Sequence, residues 1–184
     1  MRVPGWLSRR VGDTLLFAAA LNEHPCTCLA FSPDGALLAA GRDNGLVSVW
    51  HVERGSVLRH FLHDLLGHPV RAVAFSGDGT HLASAGGGHL ALREVRTGRL
   101  IWKRQHPAEL TGVAFGPHGD CVTTGCADGA VRTWTLRGRL AGEDVTGAWP
   151  GGPRDAASAS TPDGRLMATV DGDELRVWAA APAA

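Results

Sequence analysis

Net charge is missing from this chain: its 184 residues carry 18 basic and 18 acidic side chains, which sum to +0 at neutral pH. A general nucleic-acid or membrane-surface binder needs a clustered basic field, so neither partner is expected. Tyrosine is absent, and a single lysine stands against 17 arginines. This bias reads as the imprint of a GC-rich, bacterial-like coding sequence and not as chemistry. No apolar run approaches the ~20 residues of a membrane-spanning helix. Arg2, Arg9 and Arg10 surround Pro4, Gly5 and Trp6, and Leu15 to Leu21 is followed by Asn22, Glu23 and His24 without a small-residue cleavage site. No secretory signal is therefore expected. The four cysteines lack the dense, regular spacing of a disulfide framework. A cytoplasmic location is the simplest expectation.

What the chain does have is a phrase that returns four times. It runs apolar strand, Ser-Pro-Asp-Gly or a close variant, second apolar strand, polar turn, and a third strand ending at Trp. The first copy is Phe31-Ser32-Pro33-Asp34-Gly35, followed by Leu37 to Gly41 and Leu46 to Trp50. The second is Phe75-Ser76-Gly77-Asp78-Gly79, followed by His81 to Ala85 and His89 to Arg93. The third is Phe115-Gly116-Pro117-His118-Gly119, ending at Trp134, and the fourth is Ser160-Thr161-Pro162-Asp163-Gly164, ending at Trp178. The shared glycine falls at 35, 79, 119 and 164, in steps of 44, 40 and 45 residues. A period in this range marks one supersecondary unit repeated, each unit burying its faces on its neighbours.

These residues resemble WD40 repeats over most of the chain. Gly67-His68, and His24 and His106 without the glycine, match the Gly-His position ahead of the first strand. Trp50, Trp134 and Trp178 match the closing Trp of the Trp-Asp pair. The Asp is replaced by His51, Thr135 and Ala179, and Arg93 stands at the closing position of the second copy. The resemblance implies a hydrogen-bonded tetrad of His, Ser/Thr, Asp and Trp. His106, Thr124, Asp128 and Trp134 come nearest to it. His106 lies nine residues before Phe115, whereas His24 and His68 lie seven before Phe31 and Phe75. Ala40 and Asn44 occupy tetrad positions in the first copy. The implied fold is all-β, a β-propeller segment of about four blades in an open arc or partial ring, because rings of this kind usually hold about seven.

The strand patterns lead to the same architecture. Val47 and Val49 point to one side of their strand and Leu46, Ser48 and Trp50 to the other. Leu90/Leu92, Val131/Thr133 and Leu175/Val177 repeat the aliphatic side. A strand with no purely polar side lies between two layers. Asp-Gly and Asn44-Gly45 supply the positive φ of tight turns. Outer strands are expected at Ser56 to Leu62, Arg99 to Lys103 and, poorly patterned, Arg139 to Trp149, with a surface loop over Gly147 to Arg154. Trp134 and Trp178 are expected to pack the third and fourth blades. Thr14 to Ala20 reads as an outer strand, and Trp6 with Gly12 looks like the exit of an earlier blade. The reading gives a vestigial exit plus outer strand at 1–22, then repeats at 23–62, 63–104 and 105–149. A fourth repeat at 150–179 lacks its own outer strand, and 180–184 is a tail.

Chemistry is sparse. Cys26-Thr27-Cys28 with His24 offers two sulfurs, but a metal wants further ligands at bonding distance. These cysteines read as small buried hydrophobes. His60, His63, Asp64 and His68 span an outer strand and a loop, where they read as solvated, with His68 as the Gly-His histidine. Gly86-Gly87-Gly88-His89-Leu90-Ala91 satisfies a dinucleotide fingerprint in letters only, since the fingerprint needs a helix after it. Asp171-Gly172-Asp173-Glu174 lacks the rest of a calcium loop. No Gly-x-Ser-x-Gly elbow occurs. No catalytic residue, cofactor or metal is expected.

The expected function is a non-catalytic protein–protein interaction scaffold. Its binding face would be the loops before each first strand and between second and third strands, with His24, Arg42, Asp43, His68, Arg71, His89, Glu109, Asp128 and Asp171. These loops hold few aromatics, which points to polar contacts of modest affinity. The partner would be another protein or peptide, with self-association or a missing amino-terminal half as further expectations. The alternative is the carboxy-terminal sensor or regulatory part of a longer enzyme, such as a kinase or nucleotide hydrolase.

Overall fold

The computed structural model describes residues 24–116 and 118–143, with the backbone of 144, 158–160, 166–171 and 174–179. The sequence period becomes a series of antiparallel sheets, with no helix among the described residues. The first sheet is β1 (Cys26–Phe31), β2 (Leu37–Arg42), β3 (Leu46–His51) and β4 (Ser56–Leu62), in that spatial order. The second holds β5 (Ala72–Phe75), β6 (His81–Gly86), β7 (His89–Glu94) and β8 (Leu100–Gln105). The third holds β9 (Leu110–Phe115), β10 (Cys121–Cys126), β11 (Val131–Thr135) and β12 (Leu140–Asp144). The fourth has three strands, β13 (Ser158–Ser160), β14 (Leu166–Asp171) and β15 (Glu174–Ala179). The first strands β1, β5, β9 and β13 neighbour one another in that order. Each sheet is a propeller blade, in an open arrangement.

The repeated phrase works as a turn clamp. In the first sheet Ser32 Oγ donates to Asp34 Oδ1 at 2.5 Å and accepts from Leu37 N at 2.8 Å, while Asp34 Oδ1 also accepts from Ala36 N at 3.0 Å. Ser76, Asp78, Thr80 and His81 repeat those bonds, in the same order, at 2.5, 2.9 and 3.0 Å. Gly35 and Gly79, at φ 71 and 70, take the left-handed position that closes each turn. The third sheet has lost both side chains at Gly116 and His118, yet keeps the backbone bond from Gly119 N to Gly116 O at 2.9 Å. A bulge recurs where the third strand meets the fourth: at Val49/Trp50, Leu92/Arg93 and Thr133/Trp134. Bulges raise local twist, as stacked blades require.

Two apolar layers join three sheets. Val73 and Phe75 of β5 point back into a cluster with Ala39, Val47 and Val49 of the first sheet. Ala72 and Ala74 point forward, with Leu90 and Leu92, into a cluster with Val113, Phe115 and Val122 of the third. Two-sided packing, inferred from sequence for the third strands, is thus realised by a first strand, β5, in the second sheet. Burying each large side chain contributes roughly 1.5–3 kcal/mol.

Several expectations shift. Trp134 joins the layer between the second and third sheets, and the Trp178 side chain lies outside the described residues. The second outer strand runs Leu100–Gln105, starting one residue and ending two residues later than expected; of the third, Leu140–Asp144 is described, and Val145 to Trp149 lie outside the described residues. The expected strand at Thr14 to Ala20, the exit at Trp6 and the loop over Gly147 to Arg154 lie outside the described residues, apart from the backbone of the latter's flanks.

Candidate functional site

One end of the sheets gathers the connections β2–β3, β4–β5, β6–β7, β8–β9 and β10–β11. Backbone bonds stitch these loops together. Asp43 N donates to Pro25 O at 3.2 Å, His63 N to Gly45 O at 2.8 Å and Val70 N to Arg42 O at 3.0 Å. Between the second and third sheets, His106 N donates to Gly88 O and Ala127 N to Glu109 O, each at 2.8 Å. Four residues singled out from sequence pair here. His24 Nδ1 lies 3.2 Å from Asp43 Oδ1, and Arg71 Nε donates to Glu109 Oε1 at 3.2 Å. Arg42 is buried, at the end of β2. Of Asp171 the backbone alone is described, paired with Glu174.

Residues 63–71 cross from the first sheet to the second and are more ordered internally than a solvated loop. His63 is buried and hydrogen-bonds Ser84 Oγ at 2.8 Å and Gly86 O at 3.2 Å. Burial lowers its pKa, against the bond to the Gly86 carbonyl. Ser84 stands where Thr124 stands in the third sheet, five residues past the shared glycine. His63, and not His68, thus supplies the histidine–serine pair of this blade. The Asp64 carboxylate is buried as well. Its Oδ1 accepts from Leu66 N at 3.0 Å and His68 N at 3.2 Å, and its Oδ2 meets His68 Nδ1 at 2.6 Å. Burial disfavours its charged form, but the bonds from the His68 side chain and the His68 and Leu66 amides outweigh it and hold the pKa at about 2. Between these anchors Leu65 and Leu66 stand 92% and 75% exposed. Sequence reasoning passed over them because an isolated Leu-Leu in a loop has no period.

His89, at the start of β7, brings Nδ1 to 3.3 Å from Asp64 Oδ2. Burial and the nearby Lys103 lower its pKa. Its ring faces that of His68 at 5.9 Å between centroids. Gly87, at φ 53, makes the close approach possible: a Cβ there would fall 2.4 Å from His68 Cβ. Gly86 ends β6, and Gly87-Gly88 form the turn into β7, so a strand and not a helix follows the run.

In the third sheet the four tetrad candidates are near one another without forming the implied chain of bonds. His106 packs edge-on against Trp134 with centroids 5.1 Å apart, and burial lowers its pKa to about 4, helped by Arg132. Thr124 Oγ1 donates to Arg132 O at 3.2 Å, and Asp128 Oδ1 accepts from Ala130 N at 3.0 Å. Nε2 of His106 and Nε1 of Trp134 have no hydrogen-bond partner among the described residues. The polar hub is Arg132, which sequence reasoning missed. It reaches Cys126 Sγ at 3.0 Å, Glu143 Oε1 at 2.5 Å and Asp128 Oδ2 at 3.5 Å. Trp50 meets His60 edge-on at 6.5 Å, and of Trp178 the backbone alone is described, paired with Met167.

The cysteines behave as structural thiols. Cys28 Sγ donates to Val70 O at 3.7 Å, and burial pushes its pKa up to about 12. Cys26 bonds Cys28 O across a bulge, and Thr27 Oγ1 donates to Val70 O.

Sheets of this order, with clamped turns and shared apolar layers, define β-propeller blades. The sequence model of the family described as "WD domain, G-beta repeat" matches residues 17–51, 59–92 and 98–135, more than half of the chain. The chain belongs to the WD40 repeat family. It is 50% identical over 76 residues to WD repeat-containing protein SL1-17 of Schistosoma mansoni, covering 40% of this chain and 24% of that protein. It is 32% identical over 93 residues to THO complex subunit 3 of Arabidopsis thaliana, covering 50% and 29%. To jouberin of Mus musculus it is 28% identical over 147 residues, covering 75% and 14%. The chain thus spans less than a third of the length of each of these relatives.

Proposed function

We propose that the chain is a non-catalytic interaction scaffold that takes a peptide or protein segment on this loop face. Leu65 and Leu66 carry the reading: they are exposed on a loop whose backbone the buried Asp64 carboxylate ties down. An apolar pair already fixed in place loses little conformational freedom on binding. Asp43, Arg71, Glu109 and Asp128 supply charges of both signs on the same face, and His24 and His68 add polar rings, giving an apolar centre within a polar rim, while Arg42 and His89 lie deeper beneath it. The pairs His24–Asp43 and Arg71–Glu109 are at the surface, where an ion pair contributes about 0–1 kcal/mol, so they shape the rim more than they drive binding. A partner would present an apolar residue flanked by charged ones.

The test is selection of displayed peptides on the full chain, followed by affinity measurement against a Leu65→Ser/Leu66→Ser variant. The selected peptides are expected to lose at least about tenfold in affinity, or ~1.4 kcal/mol. Peptides that bind both proteins equally would place the surface elsewhere. A second reading, in which these blades are the sensor or regulatory part of a longer enzyme, draws on the small share of the relatives' length that the chain covers. The coding sequence in frame on either side discriminates the two.

A further inference from the structure

We propose that Asp64, His68 and His89 form a binding site for a divalent transition metal, zinc by its ligand chemistry, on the loop face of the second blade. This reverses the expectation of no metal drawn from the sequence. One ligand atom from each residue lies within 4.8 Å of the other two. Two imidazoles and one carboxylate are ordinary zinc donors, and a fourth position left to water completes a tetrahedron.

Two of the three edges can be compared with that geometry, and the third, between His68 and His89, lies within 4.8 Å. Bonds of about 2.0–2.2 Å place tetrahedral ligand atoms about 3.3–3.6 Å apart. The edge from Asp64 Oδ2 to His89 Nδ1 is already 3.3 Å. The edge from Oδ2 to His68 Nδ1 is a 2.6 Å hydrogen bond, which a metal would replace. His68 is half-exposed and can open that edge without disturbing the core. Nδ1 of His89 is buried and has no hydrogen-bond partner among the described residues, so a metal bond there would displace none.

The surroundings resemble the outer shell of a built site. Asp64 Oδ1 is held by the amides of Leu66 and His68, which leaves Oδ2 aimed at both rings. Such outer-shell bonds orient metal ligands. The bare Gly87 lets His68 lie against the β6–β7 turn. The bland alternative is a loop clasp in which Asp64 simply secures His68, and in that case His89 contributes nothing to metal affinity.

The experiment is calorimetric titration of the metal-stripped full chain with Zn²⁺, with Co²⁺ as a spectroscopic stand-in. The expected result is saturable binding of one Zn²⁺ and the visible absorption of four-coordinate cobalt. His68→Ala and His89→Ala should each weaken binding at least about tenfold, the low end of what losing even an outer-shell partner costs. Cys26→Ser/Cys28→Ser should leave it unchanged. Should His89→Ala fail to fold, judged by circular dichroism, the half-exposed His68→Ala decides. No saturable binding, binding undiminished in the histidine variants, or binding lost with the cysteines instead would overturn the proposal.

Discussion

Trp102 anchors an interface from a position that the repeated phrase does not mark. It lies on the outer strand β8, packs in the layer between the second and third sheets, and donates Nε1 to Leu136 O at 2.7 Å. Arg104 follows the same path, donating Nε to Gly138 O at 2.7 Å. Arg93, in the closing position where Trp is usual, reaches back instead. It donates Nη2 to Leu62 O at 2.9 Å and lies 4.7 Å over the Phe61 ring. Trp134, at the marked position, is buried in the same layer but makes no bond through Nε1 among the described residues. The two tryptophans therefore respond differently to substitution. Truncation of either to Ala is expected to cost about 3–5 kcal/mol. Trp102→Phe loses a hydrogen bond as well and costs about 0.5–1.5 kcal/mol more than Trp134→Phe, which has none to lose. Urea midpoints of the four variants measure this, and equal costs for the two Phe variants would contradict it.

At the scale of the strand, three equivalent phenylalanines separate environment from sequence. Phe31, Phe75 and Phe115 close β1, β5 and β9 in the same register of the repeat, yet they are 60%, 6% and 3% exposed. Phe75 and Phe115 point back at a preceding sheet; Phe31 has no described sheet behind it. Phe75→Ala and Phe115→Ala are expected to destabilise by about 3–5 kcal/mol. Phe31→Ala should shift the denaturation midpoint little, and a loss equal to the others would show that another surface covers it. Sequence alone carried the strands, the turn clamps and the two-sided packing, because period-two alternation and Ser-x-Asp-Gly turns are local signals. It did not carry the loop from 63 to 71. His63 and Ser84 are 21 residues apart and meet only because neighbouring blades stack. Asp64, in the β4–β5 connection, meets His89, at the start of β7, for the same reason, and Arg132 serves as a polar hub through contacts that no spacing announces.

The whole molecule should lose stability as pH falls, in two stages. His106 and His63 have folded pKa values below the ordinary 6.5, at about 4 for His106, because burial penalises their charged forms. Between pH 6.5 and 4 the unfolded chain binds protons that the folded chain refuses, so the folded state weakens by up to about 1.4 kcal/mol per pH unit for one such site. Asp64 and Asp78 have depressed folded values of about 2, and the stability they contribute is lost below their ordinary 3.8. The urea midpoint is expected to fall between pH 7 and pH 4.5, and His106→Gln should flatten that fall. A midpoint constant across this window would count against neutral buried histidines. There remains β5, whose alternate residues belong to different interfaces. Inserting one residue in it would drive Val73 and Phe75 into the space of two alanines while opening a void on the other side. Changes of chain length are thereby confined to the connections. The stretch 63–71 before β5 is longer than 106–109 before β9, and it is in that surplus that this blade has gained an aspartate and an extra histidine.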